Sequence, residues 1–96
     1  MLEVRQTDEF AAWLRSLVDA RARGRTAARI DRMKLGNPGD VAPVGEGVSE
    51  MRIHYGPGYR VYFIERGAVC TLLIGGDKST QDADIRTAKQ LATRER

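Results

Sequence analysis

Two arginines, a histidine and a tyrosine between residues 52 and 62 are the side chains best suited to chemistry on a phosphodiester. Residues 48–55 and 59–63 flank Gly56-Pro57-Gly58 and alternate between apolar and polar types, so they read as a hairpin. Pairing Tyr55 with Tyr59 sets Ile53 opposite Val61 and Met51 opposite Phe63, whereas a slip of one residue would set these apolar side chains against Arg60 and Tyr62. On the other face the same register places Arg52 opposite Tyr62 and His54 opposite Arg60, within the ~5 Å that separates directly opposed positions. Arginine offers a planar fork to phosphate oxygens, and histidine or tyrosine can move protons near neutral pH. Opposite a like charge, the His54 imidazole is expected to stay neutral and ready to accept a proton. Glu50 lies beside Arg52 on that face, so part of the cluster also reads as an ion pair, and solvated arginines on a strand are a common guard against edge pairing.

A second candidate is Gly75-Gly76-Asp77-Lys78-Ser79-Thr80, a glycine loop between a strand and a helix. It fails the nucleotide-binding Gly-x-x-x-x-Gly-Lys-Ser/Thr pattern, because the first glycine is missing and Asp77 separates glycine from lysine. Backbone N–H groups at a helix start together with Lys78 can still hold one phosphate. Asp77, Asp82 and Asp84 fit a first helical turn, where the dipole favours negative charge, better than a metal site. Arg21, Arg23, Arg25, Arg29, Arg32 and Lys34 crowd one helix, either as a solvated face or as a non-specific contact to a nucleic-acid backbone.

The elements that must position these groups follow from periodicity. Leu2–Gln6 suits a short strand, and Thr7 caps a helix carrying Phe10, Trp13, Leu14, Leu17 and Val18 at helical spacing. A second helix is expected over 20–35, with Ala27, Ile30 and Met33 inward and Gly36 ending it. Val41–Val44 fits an edge strand, and Ala68–Ile74, apolar without alternation, fits a central strand covered on both faces. Ser79 with Asp82 suggests a capping box for a last helix whose narrow stripe is Ile85, Ala88, Leu91 and Ala92.

Ninety-six residues make one domain, 1–96, too small for a cofactor lobe. A charge of +3 favours nucleic acid or an acidic partner. With one His and one Cys a zinc site is excluded, and Cys70 reads as a small buried hydrophobe. No cofactor or metal is expected. Apolar runs are too short to span a membrane and Met1–Glu9 lacks a signal core, so the expectation is a cytoplasmic protein.

Several pieces together resemble the RelE/ParE superfamily of type II toxin-antitoxin toxins, in its HigB-like, addiction-module-killer branch. They are Leu35-Gly36-Asn37 with Gly39-Asp40, Val44 to Val48, Glu50 to Ile53, Gly56 to Phe63, and Gly75 to Asp82 with Asp84-Ile85. The resemblance implies an α+β fold with two N-terminal helices packed on a small twisted antiparallel sheet and a C-terminal helix. It implies a toxin that is a metal-independent, ribosome-dependent endoribonuclease cleaving mRNA, inhibited by a cognate helix-turn-helix antitoxin and touching operator DNA only through that complex. By similarity Arg52, Arg60 and Lys78 fall where the family places phosphate-binding residues. Asp84 stands roughly where better-understood members carry a tyrosine or histidine, so His54 or Tyr62 would have to supply the acid or base. A ParE-like poison of DNA gyrase without nuclease chemistry, or a toxin-derived co-repressor, are the competing implications.

Overall fold

The computed structural model describes residues 2–95; Met1, the first residue of the stretch read for a signal core, and Arg96 lie outside them. In chain order the elements are β1 (Glu3–Gln6), α1 (Asp8–Ser16), α2 (Ala20–Lys34), β2 (Val41–Gly45), β3 (Val48–Ile53), β4 (Tyr59–Arg66), β5 (Val69–Gly76), a single 3-10 turn (Lys78–Thr80) and α3 (Gln81–Arg94). No described helix is long and apolar enough to cross a membrane.

Local chemistry explains most of the boundaries. Thr7 caps α1 by accepting from the Phe10 N–H at 2.9 Å, while its hydroxyl donates to the Leu73 carbonyl at 2.6 Å and so pins the helix start to β5. The apolar stripe of α1 stops earlier than its spacing suggests: the helix ends at Ser16, and Val18 is 97% exposed. Asp19 is the reason, because its carboxylate accepts from the Arg21 and Ala22 N–H groups and forces a new helix start there. The buried positions of α2 are Ala22, Thr26 and Met33, with Ile30 partly covered, whereas Ala27 faces outward. Thr26 can serve as an inner residue because its hydroxyl donates to the Ala22 carbonyl within the helix. Gly36, at φ +85°, ends α2 in a Schellman motif, with Gly36 N–H bonded to Met33 O and Asn37 N–H to Arg32 O.

The expected antiparallel sheet is corrected by the structure. Five strands form a mixed sheet in the order β1-β5-β4-β3-β2, in which β1 runs parallel to β5 and the other pairs are antiparallel. The alternation of Leu2–Gln6 specifies a strand but not its direction. Direction is set by long-range bonds, Glu3 N–H to Ala68 O and Thr7 N–H to Leu72 O, which close the outer edge of β5. Helices also cover both faces: α1 and α2 lie on one, α3 on the other.

Two register details position the site. The hairpin pairs Arg52 with Arg60, Met51 with Val61 and Ile53 with Tyr59, a shift of two residues from the apolar pairing read in the sequence. A shift of two preserves every face assignment, so the apolar pattern alone could not distinguish the two registers. In β5, Tyr62 pairs with Ile74 and Phe63 with Leu72, so Leu73 is an extra residue in a bulge. Cys70 and Leu72 consequently join the α1/α2 side while Leu73 and Ile74 join the α3 side. The missing alternation of this run therefore reflects the bulge as well as burial from both faces. Burial pushes the Cys70 thiol up to about 12, in keeping with a core residue.

The two glycines that end β5 serve opposite faces. A Cβ on Gly75 would lie 2.2 Å from the Trp13 ring, and one on Gly76 would lie 1.8 Å from the Asp84 carboxylate. This close approach, rather than phosphate cradling, accounts for the Gly-Gly pair. The capping box that follows joins Asp77 to Thr80 instead of Ser79 to Asp82. At its far end α3 is tied to α1, where Arg94 donates two bonds to the Glu9 carboxylate at 2.7 and 2.9 Å. Gly75→Ala should therefore lower stability by ~1–3 kcal/mol through overpacking against Trp13, measured by denaturant unfolding. The Arg94 bond pulls the Glu9 carboxyl from 4.5 down to about 2. Since the folded value is the lower one, this anchor contributes fully above pH 4.5 and is lost as the pH falls through about 2. An NMR titration of the Arg94 side-chain resonances should show that acid step, and Glu9→Gln should abolish it.

Candidate functional site

The expected strand face carries a carboxylate at its centre. Arg52 and Arg60 are directly opposed on β3 and β4, and such a like-charge pair is unfavourable unless neutralised. Glu50, one pair further along on the same face, is only 1% exposed and does this. Arg52 Nε donates to Glu50 Oε1 at 3.0 Å, Gln81 Nε2 of α3 donates to Oε2 at 2.8 Å, and Arg60 Nε lies 3.4 Å from Oε2. The Glu50 bond holds the Arg52 guanidinium above its ordinary pKa, and so firmly charged. Arg60 is drawn inward, its side chain 13% exposed, and its Nη1 donates to the Gly58 carbonyl at 2.8 Å.

Tyr62 is fully buried beneath α3, and its hydroxyl has no hydrogen-bond partner among the described residues. Burial, then the Glu50 charge, push its phenol well above the ordinary value. A tyrosine so placed is a poor proton shuttle, which corrects the reading of Tyr62 as a surface acid or base. Asp84, in the first turn of α3, accepts from the Thr80 hydroxyl at 2.5 Å and packs against Gly76. Lys78 is exposed, with its Cβ 3.6 Å from the site a Gly58 Cβ would occupy, which places it beside the hairpin loop near Arg60.

His54 does not face Arg60. The shifted register leaves residues 54–58 as a five-residue loop, closed by Tyr55 N–H to Ile53 O and Gly58 N–H to Tyr55 O. The imidazole, 75% exposed, meets a carboxylate instead: His54 Nε2 lies 2.7 Å from Asp40 Oδ2. Arg52 Nη1 approaches the other oxygen of Asp40 at 3.4 Å. The His54 bond and, more weakly, Arg52 hold the Asp40 carboxyl below the usual range. Asp40 is itself fixed by its backbone, whose carbonyl accepts from Arg52 N–H at 2.9 Å. Arg29 clamps the preceding loop by donating to Pro38 O at 2.9 Å and to Arg52 O at 2.5 Å.

These groups border an open cleft of about 580 Å³ between α2 and the hairpin loop, lined by Arg25, Arg29, Arg32, Asp40 and His54. Of the six residues read as candidates, the structure thus joins Arg52 and His54 through Asp40, joins Arg52 and Arg60 through Glu50, buries Tyr62 under α3, sets Asp84 on the first turn of α3 against Gly76, and leaves Lys78 exposed beside the hairpin loop. Asp40 and Arg29 were missed as site residues. For Arg29 a signal existed, since 25, 29 and 32 fall on one face at i, i+4 and i+7. For Asp40 none did, because its meeting with His54 depends on how the 37–40 loop returns to β3. Among the described residues no three His, Cys, Asp or Glu side chains converge as metal ligands.

The chain belongs to the same family as an uncharacterized protein of Haemophilus influenzae, to which it is 47% identical over 92 residues, or 95% of this chain and 93% of that one. No family model matches the chain. Among solved structures, the conserved hypothetical protein HP0894 of Helicobacter pylori, known in solution, overlaps 82% of this chain and 97% of its own at a TM-score of 0.48 and 18% identity. That likeness is too distant to assign a fold or an activity.

Removing the Glu50 charge should be costly while removing the Tyr62 hydroxyl should not. Glu50→Gln leaves Arg60 without its carboxylate and Arg52 with only Asp40, 3.4 Å away, and unfolding free energy should fall by ~3 kcal/mol or more. Tyr62→Phe deletes an unpaired buried hydroxyl, and stability should stay within ~1 kcal/mol of the parent or rise. Urea denaturation of both variants checks the contrast.

Proposed function

We propose that this chain is the toxin of a two-gene toxin-antitoxin module, of RelE/ParE type and HigB-like, and that it cleaves messenger RNA on the ribosome without a metal. The observation that carries the reading is the His54 and Asp40 pair, 2.7 Å apart, at the mouth of a cleft lined by three arginines. An imidazole that donates Nε2–H to a carboxylate has its other nitrogen, Nδ1, free as the proton acceptor. His54 Nδ1 then takes the proton of the RNA 2′-hydroxyl as its oxygen bonds to the adjacent phosphorus. The bond from phosphorus to the 5′ oxygen breaks, leaving a 2′,3′-cyclic phosphate and a 5′-hydroxyl end. The leaving oxygen takes its proton from water at the open mouth. Arg52 and, on α2, Arg32 stabilise the charge that builds on the phosphoryl oxygens. Asp40 acts through His54, holding its tautomer and orientation.

The partners belong to the same proposal: an antitoxin of helix-turn-helix type that covers this end of the molecule, the ribosome and its message in the cytoplasm, and operator DNA reached only through the antitoxin complex. One observation favours a second reading, a ParE-like poison of gyrase. Tyr62 and Arg60, two of the four residues first assigned to a nuclease face, are withdrawn from solvent. Primer extension on translated messages after brief induction separates them: new 5′ ends in register with codons support the nuclease, and intact message with broken chromosomes supports the poison.

His54→Gln should slow single-turnover cleavage on programmed ribosomes by ~100-fold or more without weakening ribosome binding. Asp40→Asn should give a smaller loss, and a His54→Gln rate within a few-fold of the parent would remove His54 from the mechanism.

A further inference from the structure

We propose that Arg25, held against the ring of Tyr55, is a stacking platform for one unpaired nucleobase of a single-stranded RNA lying in the cleft beside His54. The proposal rests on the cleft being an RNA site and adds what part of the RNA is recognised there. The Arg25 guanidinium carbon lies 4.6 Å from the Tyr55 ring centroid. Tyr55 cannot turn away freely, because its hydroxyl donates to Asp19 Oδ2 at 2.8 Å and Asp19 is itself engaged as the cap of α2. That bond also keeps the Tyr55 phenol above its ordinary pKa, hence protonated and donating. Tyr55 is also packed on the α1/α2 core, so the loop and the helix start form one support.

Arg25 itself is exposed and makes no side-chain hydrogen bond or ion pair among the described residues. It lines the cleft together with His54. A guanidinium has two faces, and with one against Tyr55 the other is open to a ligand. Arginine planes stack on unpaired bases with little regard to sequence, since every base has a π-face. The other cations of the cleft have different work. Arg29 is occupied by backbone carbonyls, and Arg32, two helical turns from Arg25 on the same face, is left to meet the phosphate backbone. A base on Arg25 would thus fix where the adjoining 2′-hydroxyl falls relative to His54. Pre-stacking on Tyr55 removes most of the freedom the side chain would otherwise lose on binding.

The test compares two probes on the full chain and on Arg25→Lys, which keeps the charge but loses the plane. One probe is a five-nucleotide single-stranded RNA, and the other has the same length and backbone with its central base removed; both are followed by fluorescence anisotropy at fixed salt. The expected result is that the intact strand binds Arg25→Lys at least ~5-fold more weakly than the parent, while the abasic strand binds the two proteins alike. If the parent holds both strands equally and the lysine variant weakens neither or both to the same degree, the platform is overturned and the RNA cleft stands. If the parent binds neither strand, the RNA cleft fails and the platform with it.

Discussion

The buried carboxylate of Glu50 is the interaction on which the arrangement of the site depends. A lone charge in that position would be expensive, and three side chains from three elements compensate it: Arg52 on β3 and Gln81 on α3 donate to it, and Arg60 on β4 stands 3.4 Å away as an ion pair. Its presence lets two arginines stand directly opposite one another across the hairpin. It also favours the observed one of two registers that bury the same apolar side chains, since that register brings both guanidiniums around a single carboxylate. The loop length follows from that register, and with it the placement of His54 outside the sheet.

Around Glu50 the charges form an alternating chain rather than a positive patch. From the solvent inward the order is His54, Asp40, Arg52, Glu50 and Arg60, with each neighbour of opposite sign or a proton donor. Only the outer end is open to a ligand. The inner end has become part of the core, under the cover of α3 and against Tyr62. On the proposed function, chemistry on a phosphodiester belongs to the outer end, where the arginines of α2 add the cationic surface that Arg60 no longer supplies.

The same crowding governs how α3 is held. Its apolar stripe is narrow, with Ala88, Leu91 and Ala92 buried and Ile85 at the margin. Polar contacts reinforce both ends: Gln81 reaches Glu50 at the start, and Arg94 grips Glu9 at the finish. Between them Asp84 presses on Gly76 while Trp13 presses on Gly75 from the opposite face, so the end of β5 is clasped from both sides. The Gly-Gly pair is thus a packing solution that resembles a phosphate loop in sequence.

The sequence by itself determined the local elements. The Thr7 cap, the Gly36 stop, the strand alternation of the hairpin and the apolar run of β5 are set by near neighbours, so an order of β, α, α, three or four β and α was legible, as was the shared face of Arg52, Arg60 and Tyr62, whereas the Asp19 cap that splits α1 from α2 was not read. Tertiary structure decided the rest. Whether β1 runs parallel or antiparallel depends on bonds to residues more than sixty positions away, and no short-range pattern encodes them. Two registers related by a shift of two bury the same side chains, so the apolar pattern leaves the choice open, and the observed register is the one that gathers Arg52 and Arg60 around Glu50. His54 and Asp40 are fourteen residues apart and meet because Arg29 clamps the loop between α2 and β2, a contact that exists only once both elements are packed.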